Sequence, residues 1–185
     1  MAYVLFISEQ KLKDSTAINL NVDVDILLPF VREAQKLYVE TALGTDLTQK
    51  LKDEITAGTL AGAYKTLVDD YIGDMLPSYS LYHILPYLRF RVENGGVFTH
   101  SSETGTPVTT EEAQHFREEV LNTASYYRER LIDYIRNNTS SFPEYSTNSG
   151  ADVSPSTENY YSNMNLERPT QGTELTLRNF LTAGE

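Results

Sequence analysis

Ala113, Phe116, Val120, Ala124, Tyr127, Leu131 and Tyr134 recur every three or four residues over 110–137. Side chains spaced in this way share one face of an α-helix, and the run is nearly a heptad seam. At 1.5 Å per residue such a helix is roughly 40 Å long. An apolar stripe of that length has to be covered by other helices, so the chain is expected to be mainly α, with the long helix packed along its whole length. Thr109 and Glu112 stand in capping-box spacing at its start.

The preceding segments supply the partners. A helix is expected over 26–43, with Leu27, Val31, Ala34, Leu37, Tyr38 and Ala42 on its inner face. Asn21, Asp23 and Asp25 are candidate N-caps, Pro29 fits a first turn, and Gly44 closes the helix. Leu47, Leu51 and Ile55 mark a shorter helix over 46–57, ended by Gly58. Tyr64, Leu67, Val68, Tyr71, Ile72 and Met75 mark another over 61–76. Pro77 should break the phase there and start a further helix, striped by Leu81, Ile84, Leu85, Leu88 and Val92, with Pro86 inside it and a kink or an offset in packing near Tyr82 and His83. Residues 3–7 read as a short strand. Val97-Phe98-Thr99 and Thr106-Pro107-Val108, across a Ser/Thr/Gly loop, read as a small β-hairpin. The expected fold is a bundle of about five helices with a short β-hairpin and a long extended C-terminal arm.

The arm is the second organising feature. Residues 138–185 are rich in Ser, Thr, Asn and Tyr, include Pro143, Pro155 and Pro169, and hold few aliphatic groups. Such a composition cannot offset its own ordering entropy by burial. The chain therefore divides into a helical body, 1–137, and a polar arm, 138–185, held by other chains. Of the 13 tyrosines, Tyr145, Tyr160 and Tyr161 fall in the arm, where no core of their own awaits them. They are expected to anchor on a partner surface. Glu174-Leu175-Thr176-Leu177-Arg178 alternates at period two before Phe180-Leu181, the pattern of a strand added to another chain's sheet edge, or of a frayed terminus that happens to alternate. Leu175, Leu177, Phe180 and Leu181 complete the expected partner-binding set.

Charge and composition exclude several classes. The 185 residues carry 26 acids against 15 bases, a formal charge of −11. Tight nucleic-acid binding depends on Lys and Arg displacing counterions, so it is not expected, although an acidic wall would let a duplex slide past. No cysteine is present, so neither disulfides nor thiolate metal sites enter. The start, Met1-Ala2-Tyr3-Val4-Leu5-Phe6-Ile7, lacks a basic n-region, and nothing approaches the roughly 20 apolar residues of a membrane span. Synthesis in a cytoplasm and no membrane contact are the expectations.

Catalytic chemistry is sparse. Glu112 and His115 form half of a di-iron carboxylate motif, but a second Glu-x-x-His is missing. A solvated helix face is the plainer reading. Asp69, Asp70 and Asp74 on one helix could in principle bind a hard cation, yet carboxylates on an acidic helix are ordinarily just hydrated. No Ser-His-Asp order, phosphate-cradling loop or zinc spacing occurs. The chain is not expected to be an enzyme, and neither a cofactor nor a metal is expected.

The runs Leu5-Phe6-Ile7-Ser8, Lys11-Leu12-Lys13, Asn21-Val22-Asp23, Leu28-Pro29-Phe30-Val31, Ala34-Gln35 and Leu43-Gly44-Thr45-Asp46-Leu47 resemble head-tail connector proteins of tailed bacteriophages, nearest those of crAss-like phages. Leu85-Pro86-Tyr87-Leu88 and Phe142-Pro143-Glu144-Tyr145 are similar too, so the resemblance spans roughly 1–145. It implies a virion structural protein that assembles, commonly as twelve copies, into a ring under the portal and around the DNA channel. Portal and neighbouring neck or tail proteins would be its partners. The long polar arm departs from compact adaptors. Two alternatives stand beside this reading: a monomeric acidic binding module whose tail folds on one target, and a metal-dependent helical enzyme using Glu112 and His115.

Overall fold

The computed structural model of the chain describes residues 3–18, 22–93, 96–99, 109–147, 149 and 152–156. Among them the protein is mainly helical. Helix α1 is Glu9–Ser15. Helix α2 runs unbroken over 24–43 as Val24–Ala34, a π turn Gln35–Val39 and Glu40–Leu43. Helix α3 is Thr45–Ala57. Helix α4 runs over 62–89 as Gly62–Thr66, a π turn Leu67–Ile72 and Gly73–Arg89. Helix α5 is Thr110–Asn137, and α6 is the single turn Pro143–Ser146.

Helix α4 is the centre of the bundle, with α5 along one side and α2 along another, and α1 rests on it as well. Leu67, Ile72, Met75, Leu76 and Ile84 of α4 are fully buried, as are Leu131, Ile132 and Ile135 of α5. Tyr71 and Tyr134 stack between the two helices with centroids 4.1 Å apart.

The structure corrects the expectation that Pro77 separates two helices. Proline removes one backbone bond and crowds the carbonyl four residues back, here that of Gly73, which has no side chain to add to the crowding. Burial on both sides, at Met75, Leu76 and Tyr79, carries the helix through. The hydroxyls of Ser78 and Ser80 donate to the carbonyls of Asp74 and Leu76, adding side-chain bonds across the same turn.

The π turn in α2 explains a second difference. One extra residue in a helical turn rotates everything after it. Val39 is therefore buried, and Gln35, one regular turn after Val31 and still bonded to its carbonyl, is buried too, whereas Leu37, expected inside, is 46% exposed. Gln35 then acts as a substitute strand: its Oε1 accepts from Phe6 N at 3.0 Å and its Nε2 donates to Val4 O at 2.9 Å. Residues 3–7 are accordingly not a strand of any sheet. They are tied to a side-chain amide instead.

The β-pairing also differs from expectation. Phe90–Glu93 (β1) pairs antiparallel with Gly96–Thr99 (β2), Phe90 opposite Thr99 and Glu93 opposite Gly96. Residues 97–99 thus pair with the end of the preceding segment, at the cost of the helical turn expected to reach Val92. The partner strand expected at 106–108 lies outside the described residues. The start of α5 carries the capping box: Glu112 N donates to Thr109 Oγ1 at 3.2 Å, and Thr109 N to Glu112 Oε2 at 3.0 Å. Its first turns are not packed as expected, for Phe116 is 42% exposed, and continuous burial begins nearer Val120.

The body does not end at Asn137. Phe142 is fully buried and Tyr145 is 7% exposed, with the Phe142 ring edge-on to Tyr64 and Tyr134 at centroid distances of 5.4 and 5.9 Å. Tyr64 hydroxyl donates to Glu144 Oε2 at 2.7 Å. Beyond α6 the chain crosses the corner between α2 and α3. Thr45 N donates to Val153 O at 3.0 Å, Val153 N to Thr45 Oγ1 at 2.9 Å, and Ser156 N to Thr41 O at 3.0 Å. Gly44, at φ +79°, makes that corner, and a Cβ there would lie 2.8 Å from Pro155 Cδ. The described residues 138–147, 149 and 152–156 form a strap belonging to the body, which places the boundary expected at 137/138 too early.

Candidate functional site

A cleft of about 360 Å³ opens where α2, α4 and α5 meet. Tyr38 and Thr41 come from α2, Tyr79 from α4, and Leu121, Ser125, Arg128 and Glu129 from α5. The floor is aromatic: the Tyr38 and Tyr79 rings are stacked, with centroids 3.7 Å apart and planes 12° from parallel. Leu121, Ser125 and Arg128 lie four and three residues apart, so one face of α5 supplies the opposite wall.

Burial raises the ionisation point of the Tyr79 hydroxyl, and a hydrogen bond from Ser125 opposes that shift. Burial likewise raises Tyr38, reinforced by its neighbours Tyr82 and Tyr79. Both phenols therefore stay protonated at neutral pH. On the far edge Tyr38 hydroxyl shares a hydrogen bond of 3.1 Å with His83 Nε2. His83 is held below the usual imidazole value by burial, with Glu33 pulling the other way and Arg117 adding to the fall. The Arg117 guanidinium lies 4.1 Å from the Tyr82 ring centroid and its Nε donates to Tyr82 O at 3.3 Å. Glu129 has a raised carboxyl, from burial first and from Asp133 second.

The constellation lines one cleft. It presents two aromatic faces, a leucine, hydroxyls, one guanidinium and one carboxylate. The Ser125 hydroxyl is bonded to a phenol and the His83 ring to another, so neither is arranged as a nucleophile with its base.

The residues singled out from the sequence fall elsewhere. Glu112 is committed to its cap, its Oε2 accepting from Thr109 N and from Thr109 Oγ1 at 2.8 Å, and those bonds hold its carboxyl below the usual range. His115 Nδ1 stands 3.8 Å from Glu119 Oε1 on an exposed face. Asp69 and Asp70 are exposed on the π turn of α4. Among the described residues no group of three or more His, Asp or Glu is placed to hold a metal, and no helix is long and apolar enough to cross a membrane.

Tyr145 is not a free anchor. It is buried in the body, and its hydroxyl donates to Ser156 O at 2.9 Å. The expectation that it had no core of its own is corrected by the strap. Tyr160, Tyr161, Leu175, Leu177, Phe180 and Leu181 lie outside the described residues. The cleft itself escaped sequence reasoning, because Leu121, Ser125 and Arg128 form a mixed stripe beside the more apolar one at Val120, Ala124, Tyr127 and Leu131.

The fold defines a class: a mainly helical body whose own strap crosses the α2–α3 corner. The chain belongs to the DUF6712 family, described as a family of unknown function, whose profile matches residues 39–155. That span opens within α2 and closes at Pro155, where the strap meets the α2–α3 corner. No curated protein and no solved structure matches the chain.

Proposed function

We propose that this protein is a structural subunit of a virion neck, forming a ring below the portal of a tailed bacteriophage, joining head to tail around the DNA channel. The resemblance of the corner Leu43-Gly44-Thr45-Asp46-Leu47 and of Phe142-Pro143-Glu144-Tyr145 to connector proteins supports it. A ring closes through one heterologous interface, which needs two different surface patches on each subunit. The observation that carries the reading is that exposed apolar side chains occur on two different helices. On α2, Ile26 is 49% exposed and Leu37 46% exposed, and Tyr87 of α4, 56% exposed, lies against Phe30 with ring centroids 4.6 Å apart. On α5, Phe116 and Tyr126 are 42% and 57% exposed.

The net charge of −11 suits a conduit through which a duplex slides without sticking. In this reading the residues after Ser156 are the arm, reaching a portal or neighbouring ring protein through Leu175, Leu177, Phe180 and Leu181. The deciding experiment is co-expression of the full chain with its cognate portal protein, followed by electron microscopy. A closed ring beneath the portal is expected, lost on Ile26→Glu and on Tyr126→Glu while helical circular dichroism is kept. A chain that remains monomeric and excluded from the portal would refute the proposal.

A further inference from the structure

The described chain ends beside the cleft. Ser156 N is fixed on the carbonyl of Thr41, and Ser156 O accepts from Tyr145 hydroxyl. Thr41 and Arg128 both line the cleft, and burial raises the ionisation point of the nearby Tyr145 phenol, with Arg136 first and Arg128 second opposing that rise. Residues 157–185 follow, beginning Thr157-Glu158-Asn159-Tyr160-Tyr161. We propose that the cleft is the docking site for the chain's own segment 157–161, with Tyr160 seated against the Tyr38–Tyr79 stack and Glu158 meeting Arg128.

Reach, chemistry and concentration all favour this occupant. Four residues span up to about 13 Å, a reach that starts from Ser156, itself bonded to the cleft residue Thr41. The volume of about 360 Å³ is at the small end of ligand pockets, which run from about 300 to 1,000 Å³. It suits one or two side chains. Aromatic rings gain from offset or edge contact with other rings, and an acid two positions before Tyr160 falls within reach of the guanidinium on the rim. Glu129 shares that rim, so the acid has to approach from the Arg128 side. A segment tethered this closely has an effective concentration near millimolar, which a second copy in dilute solution does not match. The inference concerns an isolated subunit and does not rest on the ring reading.

The chain has no cysteine, so introduced pairs report without background. In the full-length protein, Ser125→Cys with Tyr160→Cys is expected to oxidise to a disulfide within one chain, since such a bond needs Cβ atoms about 3.5–4.5 Å apart. Leu121→Cys with Tyr161→Cys is an independent second pair, should the first disturb the Ser125 bond. Glu111→Cys with Tyr160→Cys, at the exposed start of α5, is the control. Adding Arg128→Glu should slow cross-linking about threefold to fivefold, and Glu158→Arg in the same chain should restore it. Cross-linking in both test pairs no faster than in the control would overturn the proposal. Cross-linked dimers would overturn it also, by assigning the cleft to a neighbouring copy's segment.

Discussion

Replacing Gly44 by alanine separates two physical costs that the strap brings together at one residue. Gly44 has φ +79° and ψ 167°, a region open essentially to glycine, and an alanine held there costs about 1–3 kcal/mol. The new Cβ would also lie 2.8 Å from Pro155 Cδ and 3.0 Å from Pro155 N. Overpacking of that kind adds about 1–3 kcal/mol. If the strap lifts instead, the bonds between Thr45 and Val153 and from Ser156 N to Thr41 O are lost, at about 1 kcal/mol each. Gly44→Ala should therefore destabilise the protein by about 2–6 kcal/mol. Urea unfolding followed by far-UV circular dichroism measures it. The informative comparison is with a chain truncated after residue 151, which keeps Phe142 and Tyr145 but lacks Pro155. There the cost should fall to the backbone term alone, about 1–3 kcal/mol. An equal cost in both backgrounds would refute the strap contact, and no cost in either would refute the corner geometry.

Three further outcomes follow from the same structure. Phe142→Ala should destabilise by about 3–5 kcal/mol, as for a core phenylalanine. Truncation after Asn137 should accordingly abolish cooperative unfolding, whereas truncation after Ser156 should preserve it. Gln35→Ala leaves the buried Phe6 amide without its acceptor, for a cost of about 1–3 kcal/mol, and hydrogen exchange at Phe6 should speed up with little change in α5. Burial lowers His83 in the folded state from its ordinary 6.5. The unfolded chain then takes up the proton first as pH falls, so this contribution to stability is complete above 6.5 and is lost below it. His83→Gln should flatten that part of the stability–pH profile.

Much of the helical body was legible because its signals are local and repeat. Thr109 and Glu112 announced a cap that geometry realises, Gly44 and Gly58 announced helix ends, and Leu47 and Leu51 announced a buried face. What escaped depends on residues far apart in the chain. Pro77 reads as a breaker when only its neighbours are considered, but burial of Met75, Leu76 and Tyr79 on both sides outweighs the missing hydrogen bond. The π turn at Gln35–Val39 has no sequence marker, and Val39 is buried at its end while Leu37, expected inside, is exposed. Polarity averaged over 138–185 hid Phe142 and Tyr145, since two aromatic side chains suffice to bind a strap when the body offers Tyr64 and Tyr134 to meet them. The cleft was hidden for a related reason: stacking Tyr38 on Tyr79 is a pairing between helices, invisible to any periodicity within one of them.

The strap also sets how force and position pass through the molecule under the proposed function. The arm follows Ser156 in sequence, and the Ser156 amide is bonded to Thr41 in the last turn of α2. Val153 is bonded through both its N–H and its carbonyl to Thr45, the first residue of α3. A load on the arm therefore bears on the α2–α3 corner rather than on a loop. Helix α2 is also the element that carries Ile26, Phe30 and Leu37. A partner holding the arm and a neighbouring subunit packed on that face would thus act on one rigid helix, braced along its inner side by Val31, Ala34 and Val39 in the core. Rigid elements transmit displacement where loops dissipate it. Loosening the corner, as Gly44→Ala does, should for that reason weaken arm binding and ring closure together, even though Gly44 itself touches neither partner surface.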